Sequence, residues 1–229
     1  MTETGGEGTG SKTPARWPDT RLTALLTGLA VIAASGLDSI IPPAGIPVAV
    51  LLIWLILRMT GTRWVDLGLS RPGSWKRTIV FGIGIAAAWL LISNYVLEPL
   101  LGLLGIAQDK SQFAVFLGNK QMLAMFLLVS WTTAGFGEEL IWRGFLLPRL
   151  ARVLGGSKVA WAISVLLAAV LFGLMHLRFG VHGVISTALV AVSFGIIYLT
   201  NGRNLWMLYV AHATLDTVAF IQLYTGIGV

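Results

Sequence analysis

Seven apolar stretches divide this chain, at roughly 22–41, 45–60, 78–104, 121–142, 159–177, 183–200 and 204–224. A helix crosses the hydrocarbon of a bilayer with about 20 mostly apolar residues. Lipid offers no partners to backbone amides, so such stretches must satisfy them internally, as helices do. Composition agrees: 56% of residues are hydrophobic and only 11% are charged. A soluble domain carries roughly 25% charged residues to cover its surface. The sequence therefore predicts an all-α fold, a polytopic transmembrane bundle of about seven helices. An eighth has room between 98 and 120, where Ser111–Gly118 reads as a short extra helix. The second stretch is short, and Asp38 with Pro42 and Pro43 interrupts the end of the first.

Residues 1–20 are polar and rich in Gly, Thr and Pro, and are expected to form a disordered tail. The rest, 21–229, reads as a single membrane-embedded domain without an internal repeat. The net charge is +6. A nucleic-acid partner would need a solvated basic face. Here the basic residues sit in short loops, which excludes that class and points to membrane lipid as the partner. Arg58, Arg63, Arg71, Lys76 and Arg77 cluster after the second stretch, and Arg149, Arg152 and Lys158 follow the fourth. Basic loops stay on the cytoplasmic side. This predicts an integral protein of the cytoplasmic membrane with its N-terminus inside and its C-terminus outside. The first stretch reads as a signal anchor rather than a cleaved signal peptide. The loop 61–77 reads as a structured connector with a turn at Pro72-Gly73. Residues 144–158 mix apolar and basic side chains as an interfacial helix would. Cysteine is absent, so no thiolate metal site or disulfide exists.

Against this background the segment GFGEELIWRGF, Gly135 to Phe145, is anomalous. On an α-helix Glu139 and Arg143 stand at i and i+4 and pair on one face. Glu138 points about 100° away and needs a partner from elsewhere. Each such group costs on the order of 3 kcal/mol at mid-bilayer. Further along, His176 stands in LFGLMHL with Phe172 one turn before it, where its ring can wall a site. His212 and Asp216 stand four apart in YVAHATLD, close enough for a structural hydrogen bond or a shared ligand set. His182, beside Arg178, reads as interfacial. Facing lipid, Glu138, Glu139, His176, His212 and Asp216 are each expensive. Facing one another in a hydrated cavity they are far cheaper, so one shared site is the economical arrangement.

Such a set activates water. Two imidazoles and a carboxylate can hold zinc with a position open for water. A metal-free arrangement serves equally: Glu138 deprotonates water and the imidazoles donate to the developing oxyanion. Either hydrolyses an amide.

Three segments resemble motifs of one family. EELIWR (Glu138 to Arg143) resembles the EExxxR motif of the CAAX-protease and bacteriocin-processing (Abi) family of intramembrane proteases. FGLMH (Phe172 to His176) is similar to its FxxxH motif, and HATLD (His212 to Asp216) to its HxxxN/D motif. DLGLSRPGSW resembles the family's usual cytoplasmic segment, so the likeness spans roughly residues 60–220. The resemblance implies a type II CAAX prenyl endopeptidase-like peptidase, with its site open to the cytoplasm and a membrane-bound or hydrophobic peptide as substrate. It implies Glu138 as the water-activating base and His176 and His212 as metal ligands or oxyanion donors. Glu139 and Arg143 would support the site, and Asp216 would orient or complete it, as a third ligand if zinc is bound. Asp216 stands where prenyl-protease members often carry Asn, and its added charge favours a metal.

Two other classes compete. A proton- or ion-coupled transporter also buries Glu, His and Asp, but would show repeats. A non-catalytic scaffold or immunity protein could keep the fold alone. One geometric condition attaches to the shared site. With the fifth helix starting near Val159, His176 lies ~25 Å along it, while His212 lies about eight residues into the seventh. The fifth helix must therefore begin later or run obliquely.

Overall fold

The computed structural model describes residues 20–39 and 44–227. The expected disordered tail and the Pro42-Pro43 turn lie outside the described residues, apart from Thr20, which caps the first helix. All described elements are helical. They are α1 (Arg21–Ser35), α2 (Gly45–Thr60), α3 (Trp75–Ile92), α4 (Glu98–Leu103), α5 (Lys120–Val129), α6 (Leu147–Val153), α7 (Lys158–Met175), α8 (Gly180–Thr200) and α9 (Trp206–Thr225). A wide π-helical turn, Ser93–Leu97, joins α3 to α4, and Ser111–Phe116 forms the short extra helix as a 3-10 turn.

Four described segments are long and apolar enough to cross a membrane: Arg21–Asp38, Trp75–Leu103, Lys158–Met175 and Leu177–Thr200. The chain is thus an integral membrane protein. The expected count of about seven spans is not reached on length and hydropathy, because α2 is shorter and the 121–142 and 204–224 stretches carry the polar site residues. Only 11% of the Trp75–Leu103 window is buried in the protein. Its exposed Ile79, Val80, Phe81 and Ile83 make an apolar face suited to lipid.

The helices start and stop where their sequences direct. Ser74, Asn119 and Ser157 each cap a helix by accepting a backbone N–H three residues on. Asp38, which interrupts the first apolar stretch, accepts the Gly45 amide and so caps the entry to α2. Helices approach closely at glycines. A Cβ on Gly82 of α3 would lie 2.7 Å from Val210 of α9, and one on Gly195 of α8 would lie 2.8 Å from Val165 of α7. Small residues take this role in membranes because dispersion, not water exclusion, draws helices together.

Two segments are packed more deeply than their sequences suggest. Phe145, Leu146 and Leu147 are fully buried, and α6 packs on α1 and α7. Its arginine-rich face ties inward: Arg149 Nε donates to Thr27 Oγ1 of α1 at 3.1 Å. His182 is buried rather than interfacial, and Glu98 of α4 sits 3.0 Å from its Nε2. The two are 84 residues apart, so no local pattern announces the pair.

The candidate active site

The segment GFGEELIWRGF does not form the expected α-helix. From Lys120 to Val153 the chain is one continuous helix, but Ser130–Glu138 and Leu140–Leu146 are wound with π-type i→i+5 bonds. Such winding is rare overall and is frequent at functional sites. Local chemistry supports the transition. The Thr132 and Thr133 hydroxyls donate to the carbonyls of Leu128 and Val129, at the junction with α5. Glycines let neighbours press against the widened turns. A Cβ on Gly137 would fall 2.3 Å from Ile46 of α2, and one on Gly144 2.7 Å from the Leu67 carbonyl.

The charged side chains stack in depth. Deepest is the expected pair: Arg143 Nη1 donates to Glu139 Oε1 at 2.9 Å, with side-chain exposures of 4% and 1%. The Arg143 guanidinium lies between the Phe172 and Phe194 rings, 5.1 and 5.3 Å from their centroids. That is cation–π geometry in a dry setting. Glu139 Oε2 and Arg143 Nη2 have no further partner among the described residues.

Above this pair stands His212 of α9. Its Nδ1 lies 2.8 Å from Glu139 Oε1. With Nδ1–H donated to that carboxylate, Nε2 faces outward. It lies 3.9 Å from Glu138 Oε2 and 3.8 Å from Asp216 Oδ2. Glu138 thus finds the partner from elsewhere that its helix could not supply. The His212–Asp216 distance is too long for the direct hydrogen bond their spacing allowed. Asp216 Oδ2 instead accepts from the Ser130 hydroxyl at 2.9 Å. Ser130 was not among the expected site residues. Its one legible signal is a hydroxyl in the apolar run FLLVSW. Exposure rises from Glu139 at 1% through His212 at 15% and Glu138 at 18% to Asp216 at 27%, so the cluster opens outward.

His176 occupies the C-terminal end of α7. Its Nδ1 donates to the Phe172 carbonyl, 2.8 Å away, so Nε2 is again the free nitrogen. Phe172 walls the site as expected, with its ring centroid 4.7 Å from that of His176. Among the described residues no hydrogen bond or ion pair joins His176 to the other five. The later start expected of the fifth helix is not found. α7 begins at Lys158, no later than the sequence indicated. The start of α9 lies inside the bundle instead: Leu205 is buried and its amide donates to the Gly68 carbonyl at 2.9 Å. The segment 130–146 then bridges the two helices.

Metal binding can be tested against these donors. Both imidazoles present a free Nε2 with Nδ1 tied to an acceptor, the arrangement typical of metal-ligating histidines. However, among the described residues no three His, Asp or Glu side chains converge closely enough to hold one ion. The donor types fit and their spacing does not.

Residues 120–218 match the family model described as type II CAAX prenyl endopeptidase Rce1-like. The match contains all six expected site residues. The similar-looking DLGLSRPGSW segment falls outside it. No curated protein and no solved structure shows significant similarity to the chain.

Proposed function

We propose that this chain, whose residues 120–218 belong to the type II CAAX prenyl endopeptidase Rce1-like family, is an intramembrane endopeptidase driven by Glu138. The observation that carries this reading is the placement of Glu138 Oε2 3.9 Å from His212 Nε2, above a buried Glu139–Arg143 pair. That gap is too long for a direct hydrogen bond and suits a shared water.

The steps follow from the residues. Glu138 takes a proton from a water molecule, and the water oxygen bonds to the scissile carbonyl carbon. The carbonyl becomes an oxyanion. When it collapses, the C–N bond breaks and Glu138 returns the proton to the leaving amine. The imidazoles of His176 and His212 stabilise the oxyanion by hydrogen bonding. Glu139 and Arg143 touch no reacting atom; they fix the His212 ring. Asp216, held by Ser130, lines the opening. Zinc on His176, His212 and Asp216 would polarise the carbonyl and the water, but no step here requires it.

The substrate class proposed is a membrane-anchored or hydrophobic peptide, prenylated CAAX-type proteins included; membrane embedding and the family match support it. The orientation that fits is a cytoplasmic N-terminus and a site reached from that side. In its support, Arg21, Arg149, Arg152 and Arg203 gather at one end of the bundle. The deciding experiment is cleavage of a membrane-anchored, prenylated peptide by Glu138→Gln protein. Removing a general base costs on the order of 10²–10⁴-fold, with folding intact. Cleavage that survives sinks the mechanism. A biological effect that survives without cleavage supports the scaffold reading instead.

A further inference from the structure

α9 meets the start of the π-wound segment along a single seam. Tyr209, Ala213, Asp216 and Thr217 stand at i, i+4, i+7 and i+8 and so share one face of α9. Each meets a residue between 130 and 135. The Tyr209 hydroxyl donates to the Trp131 carbonyl at 2.8 Å. The Trp131 indole Nε1–H donates to Thr217 Oγ1 at 3.0 Å. Asp216 accepts from Ser130. A Cβ on Gly135 would lie 3.3 Å from the Ala213 Cβ.

Trp131 is the centre of this seam. Its backbone is tied to Tyr209 and its side chain to Thr217, which lie ~12 Å apart along α9. The donors and acceptors are complete. Thr217 gives its own proton to the Ala213 carbonyl at 2.6 Å, which leaves its oxygen free to accept the indole. The Trp131 and Tyr209 rings also meet edge to face, with centroids 5.8 Å apart and planes at 85°. Burial does not explain these ties, because Trp131 is 41% exposed. Facing lipid, its Nε1–H and carbonyl have no competing partner, so both bonds persist.

The seam brackets the site. His212 stands between Tyr209 and Thr217 on α9, and Glu138 follows Trp131 by seven residues through the π-wound turns. Tightening those turns from i→i+5 to i→i+4 bonds would carry each later side chain round the helix axis. We propose that Trp131 is a positioning residue: bonded to α9 on either side of His212, it sets the winding and register that hold Glu138 Oε2 3.9 Å from His212 Nε2. Trp131 acts through those two side chains and not on the substrate. The proposal rests on the peptidase reading given above.

The test pairs cleavage kinetics on a membrane-anchored, prenylated peptide with imidazole 15N NMR of the full-length protein, to which only three histidines contribute. Trp131→Phe, Tyr209→Phe and Thr217→Val each keep an apolar side chain and lose one hydrogen bond. A misplacement of an ångström costs about 10²-fold, so kcat should fall roughly tenfold or more while KM stays within about twofold. The His212 signals should shift with it. Trp131→Phe combined with Thr217→Val should lose no more than either alone, because both remove the same bond. Trp89→Phe is the control: it removes another interhelical tryptophan bond, to Ser193 at 2.9 Å, and should leave kcat and the His212 signals unchanged. Unchanged kcat in Trp131→Phe, a rise in KM in place of the fall in kcat, or an equal loss in Trp89→Phe overturns the proposal. So does a fall in kcat with unmoved His212 signals. If the wild type cleaves nothing, the peptidase reading fails and the spectra alone decide. Unmoved His212 signals in Trp131→Phe then overturn the positioning role, and shifted ones uphold it.

Discussion

Glu139 holds His212: one carboxylate oxygen, Oε1, stands 2.8 Å from the imidazole Nδ1 and 2.9 Å from Arg143 Nη1. Removing that charge strands a buried arginine. Breaking one partner out of a buried pair costs about 3–5 kcal/mol. Glu139→Gln should therefore lower the thermal unfolding midpoint in detergent by more than about 6 °C. An unchanged midpoint would show that the pair is not a structural anchor.

Asp216 and Ser130 separate charge from shape. In Asp216→Asn the side-chain oxygen can still accept the Ser130 hydroxyl. If Asp216 acts by orientation, cleavage should fall less than about tenfold, which is 1.4 kcal/mol. A far larger loss would mean that its negative charge takes part. Ser130→Ala removes a hydrogen bond to a charged group and should destabilise by about 1.5–3 kcal/mol, read from chemical unfolding.

Gly137 tests the packing of the widened helix. In Gly137→Ala the new methyl meets Ile46, so overpacking should cost about 1–3 kcal/mol. Adding Ile46→Ala should recover part of that loss, because residues in contact couple in a double-mutant cycle. Additive losses would show that the contact does not govern the cost.

Metal dependence has a direct readout. The spacing of the donors predicts that chelation leaves cleavage unchanged within about twofold, although a true structural or catalytic zinc is held strongly. Elemental analysis of wild type beside His176→Ala/His212→Ala checks this. One zinc per chain, lost in the double variant, would show that the two imidazoles close on an ion and would overturn the metal-free mechanism.

Much of this was readable in the residues. Apolar stretches gave a helical membrane protein, and the cost of charge in lipid brought Glu138, Glu139, Arg143, His212 and Asp216 to one place. The i, i+4 spacing correctly paired Glu139 with Arg143. The winding of that segment was not readable, because an α and a π turn present the same apolar and small residues. Contacts from α2 and α9 at Gly137 and Gly135 accompany the wider turn. The His182–Glu98 pair and the burial of Phe145–Leu147 were likewise decided by helices far away in sequence. The partner of Asp216 was missed because spacing favoured His212, four residues off, over Ser130, 86 residues away.

The contact of Ile46 with Gly137 has a wider consequence. The six site residues all fall within the matched stretch, 120–218, yet the residue beside Glu138 is walled by α2, from the part of the chain outside it. The seat of the π-wound segment is thus shared between the matched stretch and α2 before it, and a change of side-chain size at Ile46 is felt one residue from Glu138.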